Sequence, residues 1–445
     1  MTRTSTERGT ATIVEVAGNA NADRLETKLV AALGSGGSES PALIVDLSAT
    51  RYVDVSALVY ITSLIVQRLD RGFETFISLP KGQLGSSAVM HFLRAWRFPE
   101  ALTEATAKPF ESYLLDDHDR HYYRAVQKER PEPYYVGGYV RPDVGRILSE
   151  RFFALRTFRP ASERSAVGIP IGESNRWQED LIRRVLASRL RRAERSPGLV
   201  GSAIVFESLL NALRHSQANV IQMVSRFDDP STRARHLPGA SRAPAQVPHF
   251  KLVVWDDGES SVDTLRRAAA EPGGCRVANV PKALHRAFWV VEREYKQRGG
   301  NGRRVESWET PNAASTDEQL LLATMFPGVT CDVSGTGHRI HPGLPSDLGG
   351  VVDVARLDAD ERQRVLGPGM GLYLLLNVAV DVFQGTVSYR TRTLSLKIQG
   401  ASEELCGEQG VRYRAAIERL PSCLPPFRGN MLTVSLPLNA DAAHG

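Results

Sequence analysis

The alternation of apolar and polar positions divides the chain into short strands and amphipathic helices. Thr12–Val16 reads as a strand and Ala22–Leu33 as a helix. Ala42–Leu47 is apolar on both faces, as a strand inside a covered sheet must be. Val55–Leu69 is helical and stops at Arg71-Gly72, where glycine suits a left-handed cap. Phe73–Leu79 is the next strand, ended by Pro80, and a helix covers about Ser87–Trp96. This order predicts an α/β unit over residues 1–105. Residues 106–172 read as a connector with a helix near Gly145–Leu155. From about Asn175 to Arg195 runs a helix rich in arginine, whose plainest role is a solvated basic face. Further on come a helix at Ala203–Ser216, strands at Asn219–Phe227 and His249–Trp255, and a helix at Ala283–Arg298. The last part predicts a helix at Leu372–Phe383, a hairpin from Thr386–Thr391 and Leu394–Gln399, and a final strand at Met431–Pro437.

Composition changes this picture little. At 445 residues the chain has room for two or three domains. Its 42% hydrophobic and 24% charged content is that of a globular protein, which excludes wholesale disorder and collagen. A net charge of +5 is too small to argue for nucleic acid, though it does not exclude it. The longest apolar run, Ala57–Val66, contains Thr62 and Ser63 and falls short of the roughly 18 to 20 residues that span a bilayer. The first residues lack the apolar core of a secretory signal. Cys275, Cys331, Cys406 and Cys423 form no Cys-x-x-Cys pair, so neither a zinc cluster nor a disulfide framework is expected. Together these features suggest a cytoplasmic protein without a membrane span.

Three segments carry candidate chemistry. In Glu207-Ser-Leu-Leu-Asn211-Ala-Leu-Arg214-His215, residues four apart share one helical stripe. That stripe presents Glu207, Asn211 and His215, while Phe206, Leu209, Leu210 and Leu213 form an apolar face. Magnesium takes oxygen ligands, and an Asn supplies one without adding charge against a phosphate. A Glu can orient or deprotonate a nucleophile. In Trp255-Asp256-Asp257-Gly258, a carboxylate ends a buried strand where it can accept a hydrogen bond from an adenine amino group, and glycine permits close approach. In Gly367-Pro-Gly369-Met-Gly371-Leu372, glycine-rich backbone ahead of a helix offers free amides to phosphate. Each segment has an ordinary structural use when taken alone.

In order, and followed by a hairpin and a terminal Leu-Pro-Leu strand, the three resemble the GHKL ATP-binding fold of gyrase, the ninety-kilodalton heat-shock chaperone, histidine kinases and mismatch-repair ATPases. The resemblance spans residues 173–445, with an insertion at about 259–366. It implies a Bergerat-type α/β sandwich, a mixed sheet covered by helices on one face, and it implies ATP and magnesium as ligands. By the same resemblance Asn211 would hold magnesium, and Asp256 with Gly258 would bind adenine. Gly367, Gly369, Gly371 and Leu372 would shape the phosphate lid, Arg214 would contact phosphate, and Glu207 would act as general base. Two departures stand out. Ser260 replaces a frequent glycine, and Gly429-Asn430-Met431 replaces a usual Gly-Thr.

Residues 10 to 98 resemble a STAS domain, the fold of anti-sigma factor antagonists, through Ala42–Leu58 and the helix after it. In antagonists a serine at that helix start is phosphorylated, and Ser56 holds the place. Its structural alternative is helix capping by Asp54 or Ser56. The implied function is a bacterial-style signalling protein that couples ATP binding, with hydrolysis or serine phosphoryl transfer, to a protein partner. An ATPase clamp with ATP-dependent homodimerisation and a non-catalytic nucleotide sensor are the alternatives. His91, His118 and His121 lie in no recognisable phosphoacceptor box, which disfavours a histidine kinase.

Overall fold

The computed structural model describes residues 11–34, 41–80, 88–128, 155–159, 204, 207–215, 217–228, 249–277, 286–297, 300–306, 310–326, 329–330, 371–402, 405 and 410–437. The N-terminal unit begins with β1 (Thr12–Glu15), β2 (Gly18–Ala20) and α1 (Ala22–Gly34). It continues with β3 (Ala42–Asp46), β4 (Thr50–Val53), α2 (Val55–Asp70), β5 (Glu74–Ser78), α3 (Ala88–Ala95), α4 (Phe98–Thr106) and α5 (Asp117–Lys128). Strands β1, β3 and β5 form a parallel sheet with β3 in the middle. Leu43 and Val45 of β3 are fully buried, as the two-sided apolar pattern requires. Leu25, Leu29 and Leu33 of α1 are buried one turn apart, which is the stripe that packs the helix.

Helix α2 is buried from Val55 to Arg68, on every side. A helix without a polar stripe needs covering all round. Part of α2 packs on β5, and another part packs on strands from the second half of the chain. Each fully buried Leu or Ile on it contributes about 1.5 to 3 kcal/mol relative to exposure. The two polar residues in its apolar run are satisfied locally: Thr62 Oγ1 donates to Leu58 O at 3.1 Å and Ser63 Oγ to Tyr60 O at 2.8 Å. Gly72 ends the helix at φ +76°, with Phe73 N–H bonded back to Arg68 O at 2.9 Å.

The region read as a connector holds packed structure at both ends. Helix α5 lies on α3, with Tyr122 and Val126 buried, and Arg94 Nη1 donates to Val126 O at 2.7 Å. At the other end β6 (Arg156–Phe158) pairs antiparallel with a later strand. The helices expected near Gly145–Leu155 and Asn175–Arg195 lie outside the described residues, apart from Leu155, which is not helical.

The second half continues with α6 (Glu207–His215), β7 (Ile221–Asp228), β8 (His249–Asp256), α7 (Ser261–Ala270), β9 (Arg276–Val277), β10 (Ala287–Glu294) and β11 (Gly302–Val305). Next come α8 (Asp317–Ala323), β12 (Val329–Thr330) and α9 (Gly371–Leu376). Last come β13 (Thr386–Arg392), β14 (Leu394–Gly400), β15 (Val411–Arg419) and β16 (Phe427–Pro437). A nine-stranded mixed sheet runs β11-β10-β15-β14-β13-β16-β8-β7-β6, in which only the β10/β15 pair is parallel. Helices α6 to α9 cover one face. The mixed α/β class is as expected, but the other face is covered as well, by helix α2 of the N-terminal unit, so helices do not lie on one face alone. Val224, Val253, Trp255 and Met431 on that face share one core with α2 and the rest of the N-terminal unit.

Two expectations are corrected. The stretch Ala283–Arg298, read as a helix, holds strand β10 among its described residues. Phe288 and Val290 alternate into the core, and aromatic and β-branched residues suit a pleated surface. It pairs with nearby β11 on one side and with distant β15 on the other. The helix expected at Leu372–Phe383 is α-helical only to Leu376 and then widens into a π-helix over Asn377–Val382. The insertion at 259–366 supplies α7, α8 and sheet strands β10 and β11, so it is built into the domain.

Candidate functional site

Helix α6 brings the first group of predicted residues to the covered face. Leu209 and Ala212 are buried in the core beneath it, and α6 packs against β7, β8 and α9. Glu207 and Asn211, one turn apart, are both partly buried. Asn211 Nδ2 is a buried atom with no hydrogen-bond partner among the described residues. A buried donor left unmade costs about 1 to 3 kcal/mol, so such an atom calls for an account.

The turn after α6 is tied to the end of β8. Ile221 pairs with Asp256 across the sheet, and Asp257 N–H donates to Val220 O at 3.0 Å. Asp257 Oδ1 accepts the amides of Asn219 and Val220, each at 2.8 Å. Burial pushes the Asp257 carboxyl up, against the pull of those two amides. Side chains alternate along β8, so Asp256 falls on the helix-covered face with Leu252 and Val254.

Asp256 is 4% exposed and held from several directions. Gly258 N–H donates to its Oδ1 at 3.1 Å, and Asn430 Nδ2 lies 3.2 and 3.3 Å from its two oxygens. Asn430 is fixed in turn. Its Nδ2 donates to Glu259 O at 3.1 Å, and its Oδ1 accepts from Ser261 N at 2.9 Å and Thr391 Oγ1 at 3.1 Å. Asn430 stands opposite Asp256 in the β8/β16 pair. The preceding Gly429 has φ +73°, and a Cβ there would overlap the Asp256 carbonyl oxygen. Tyr389 lies nearby, its phenol pushed well up by burial and then by the Asp256 charge.

Gly371 opens α9, which packs beside α6, and half-buried Leu372 rests against the core. The fold thus places α6, which carries Glu207 and Asn211, against β8, which ends at Asp256 just before Gly258, and against α9, which opens with Gly371 and Leu372. Gly367, Gly369 and the side chain of Arg214 lie outside the described residues. Asn430, Thr391, Tyr389 and Asp257 were not singled out as site residues. Asn430 was visible only as a departure from the usual last strand, and Asp257 only as the middle of Asp-Asp-Gly.

Ser56 lies on the opposite face, 4% exposed. Asp54 caps α2 by accepting Ser56 N–H at 2.9 Å, and it also accepts Ser56 Oγ–H. Lys251 of β8 reaches across, with Nζ 2.7 Å from Asp54 Oδ1 and 3.4 Å from Ser56 Oγ. Burial raises the Asp54 carboxyl, but the Lys251 charge and hydrogen bond, with those from Ser56, bring it below the usual range. The capping reading of Asp54 holds, and in this arrangement the Ser56 hydroxyl is enclosed. Two buried arginines anchor the same interface. Arg390 of β13 pairs with Glu26, and burial lowers its guanidinium to about 10. Arg226 of β7 stacks among Tyr52, Phe92 and Trp96.

Asp116, His118 and Asp119 bring possible ligand atoms within 4.8 Å of one another. Asp116 Oδ1 accepts Asp119 N–H at 2.8 Å, which gives the group a structural use at the start of α5. Among the described residues no helix is long and apolar enough to cross a membrane. Comparison with protein-family models, curated proteins and solved structures gave no match.

Proposed function

We propose that the chain binds Mg-ATP on the helix-covered face, between α6, the end of β8 and the start of α9, in the manner of the GHKL superfamily. The observation that carries this reading is the unpartnered amide nitrogen of Asn211, on a helix packed against both the Asp256 strand and the Gly371 helix. An amide nitrogen buried without a partner fits a residue whose ligand brings acceptors, such as phosphate oxygens and the water of a hydrated metal. In that role Asn211 binds by its oxygen, and its nitrogen is left to water or phosphate. Asp256, prepositioned by Gly258 and Asn430, accepts from the adenine amino group. Asn430 and Thr391 stand in for the threonine that usually opens the last strand. Bound magnesium would supply charge neutralisation to the triphosphate. Glu207 orients or deprotonates the nucleophile, and the backbone around Gly367, Gly369 and Gly371, with Leu372 and Arg214, encloses the phosphates.

The N-terminal unit, read as STAS-like, is docked on the opposite sheet face and is the module through which nucleotide state reaches a partner. The enclosure of Ser56 favours control by docking over phosphorylation of that serine in this arrangement. Calorimetry with a non-hydrolysable ATP analogue and magnesium tests the site. Wild-type binding, weakened at least about tenfold in Asp256→Asn and in Asn211→Ala, is expected. Equal affinity in all three proteins overturns the assignment. Phosphate release that disappears in Glu207→Gln marks an ATPase, and binding without turnover marks the sensor alternative.

A further inference from the structure

Asp257 belongs to neither the predicted ligand set nor the interface core, yet it lies between Asp256 and Gly258 in the chain and bonds to the turn after the Asn211 helix. On one side its Oδ1 accepts the Asn219 and Val220 amides at 2.8 Å each, fixing the turn that joins the Asn211 helix to β7. On the other side Arg428, at the start of β16, grips it. Arg428 Nε donates to Asp257 O at 2.8 Å, and Nη2 lies 3.4 Å from Oδ2. The remaining guanidinium nitrogen, Nη1, pairs with Asp70, the last residue of α2 in the N-terminal unit. The Arg428 carbonyl also receives Trp255 Nε1–H at 3.2 Å, which holds that backbone against β8. One planar cation thus joins the end of the N-terminal helix to the residue beside Asp256.

We propose that Asp257 is a positioning residue, and that the Asp70–Arg428–Asp257 chain couples docking of the N-terminal unit to the geometry of the Asn211 helix. The proposal deepens the nucleotide reading and rests on it. While α2 is docked, Asp70 holds Arg428, Arg428 orients the Asp257 carboxylate, and the carboxylate fixes the Asn219–Val220 turn. When α2 withdraws, the turn loses its anchor and Asn211 loses its fixed distance from Asp256. Linkage makes the effect reciprocal: a ligand that needs the ordered turn favours the docked unit.

The test uses the full chain and three substitutions. Asp257→Asn keeps an oxygen for the two amides and removes the charge that Arg428 reads. Arg428→Ala removes the link, and Asp70→Ala removes its far end. Magnesium with a non-hydrolysable ATP analogue is titrated into each protein. Affinity is expected to fall about three- to tenfold in Asp257→Asn and Arg428→Ala, and about twofold in Asp70→Ala, whose carboxylate is half exposed. The Asp70→Ala/Asp257→Asn double variant should bind no more weakly than Asp257→Asn alone. Strictly additive losses, or wild-type affinity in Asp257→Asn, overturn the coupling. Hydrogen exchange at the Asn219 and Val220 amides gives a readout that needs no nucleotide. Faster exchange in Arg428→Ala and Asp70→Ala supports the chain of contacts, and unchanged exchange refutes it. If the wild type binds no nucleotide, the nucleotide reading fails by itself, and the exchange measurement still decides the link from Asp70 to the turn.

Discussion

Lys251→Met should separate the two units more than its position on a strand suggests. Lys251 Nζ is 2.7 Å from Asp54 Oδ1, with side-chain exposures of 26% and 18%. Removing one partner of a fully buried pair costs about 3 to 5 kcal/mol, because a charge is left in low dielectric. Here some water reaches both groups and Ser56 still donates to Asp54, so about 2 kcal/mol is expected. Met keeps the stem that packs on the interface and deletes only the charge. Asp54→Asn keeps the capping oxygen, since Asn caps as well as Asp, and removes the other charge. The double variant therefore has neither a missing cap nor a stranded ion, and it should lie within about 1 kcal/mol of wild type. Urea unfolding followed by tryptophan fluorescence measures all four proteins, and Trp255 lies in the shared core as a reporter. The double-mutant cycle should give a coupling of at least about 1 kcal/mol. Additive single effects would mean that Asp54 and Lys251 do not meet, and the docking of α2 on β8 would be refuted.

Two further predictions use the same structure. The Asp54 carboxyl titrates lower in the folded chain than in the unfolded one, so its contribution is complete above about pH 4 and is lost as pH falls through the folded value. The stability gap between wild type and Asp54→Asn should then be flat near neutrality and shrink below about pH 4; a gap that widens in acid contradicts the sign. Gly429→Ala places a methyl on the Asp256 carbonyl at a left-handed φ, and should cost about 2 to 5 kcal/mol by chemical denaturation; a loss under about 0.5 kcal/mol would show that β16 does not approach Asp256 so closely.

The elements that the sequence made legible are those whose signal is local. The two-sided apolar run of β3, the capped α2 and the β13/β14 hairpin lie within a residue or two of their expected places. Strand β10 reads as a helix because its charged end, Glu292-Arg-Glu294, masks the alternation of Phe288 and Val290; of its two partners, β11 is near in the chain and β15 more than a hundred residues away. The docking of the N-terminal unit had a trace in the sequence. The Ala57–Val66 run has no polar stripe, and a soluble helix of that kind must be covered on all sides. That pattern says that a second covering exists but not which surface supplies it. Lys251, a charge between Phe250 and Leu252, is the matching trace on the other side, and the buried Arg226 and Arg390 stand at the same interface.

Strand β8 explains why the candidate site and the interface stand or fall together. Phe250, Leu252 and Val254 join the core under the helices, and Asp256 follows in the same phase. Val253 and Trp255 join the core with the N-terminal unit, and Lys251 shares their phase to reach Asp54. A slip of one residue would exchange the two sets, burying Lys251 under the helices and turning Asp256 toward α2. The register of β8 is therefore fixed twice, once by each face, and pairing with β7 and β16 along its whole length leaves it no edge. Movement of α2 cannot be absorbed by sliding this strand. Under the coupling proposed above it is taken up where the sheet ends, at Asp257, Arg428 and the Asn219–Val220 turn, beside the carboxylate proposed to recognise adenine.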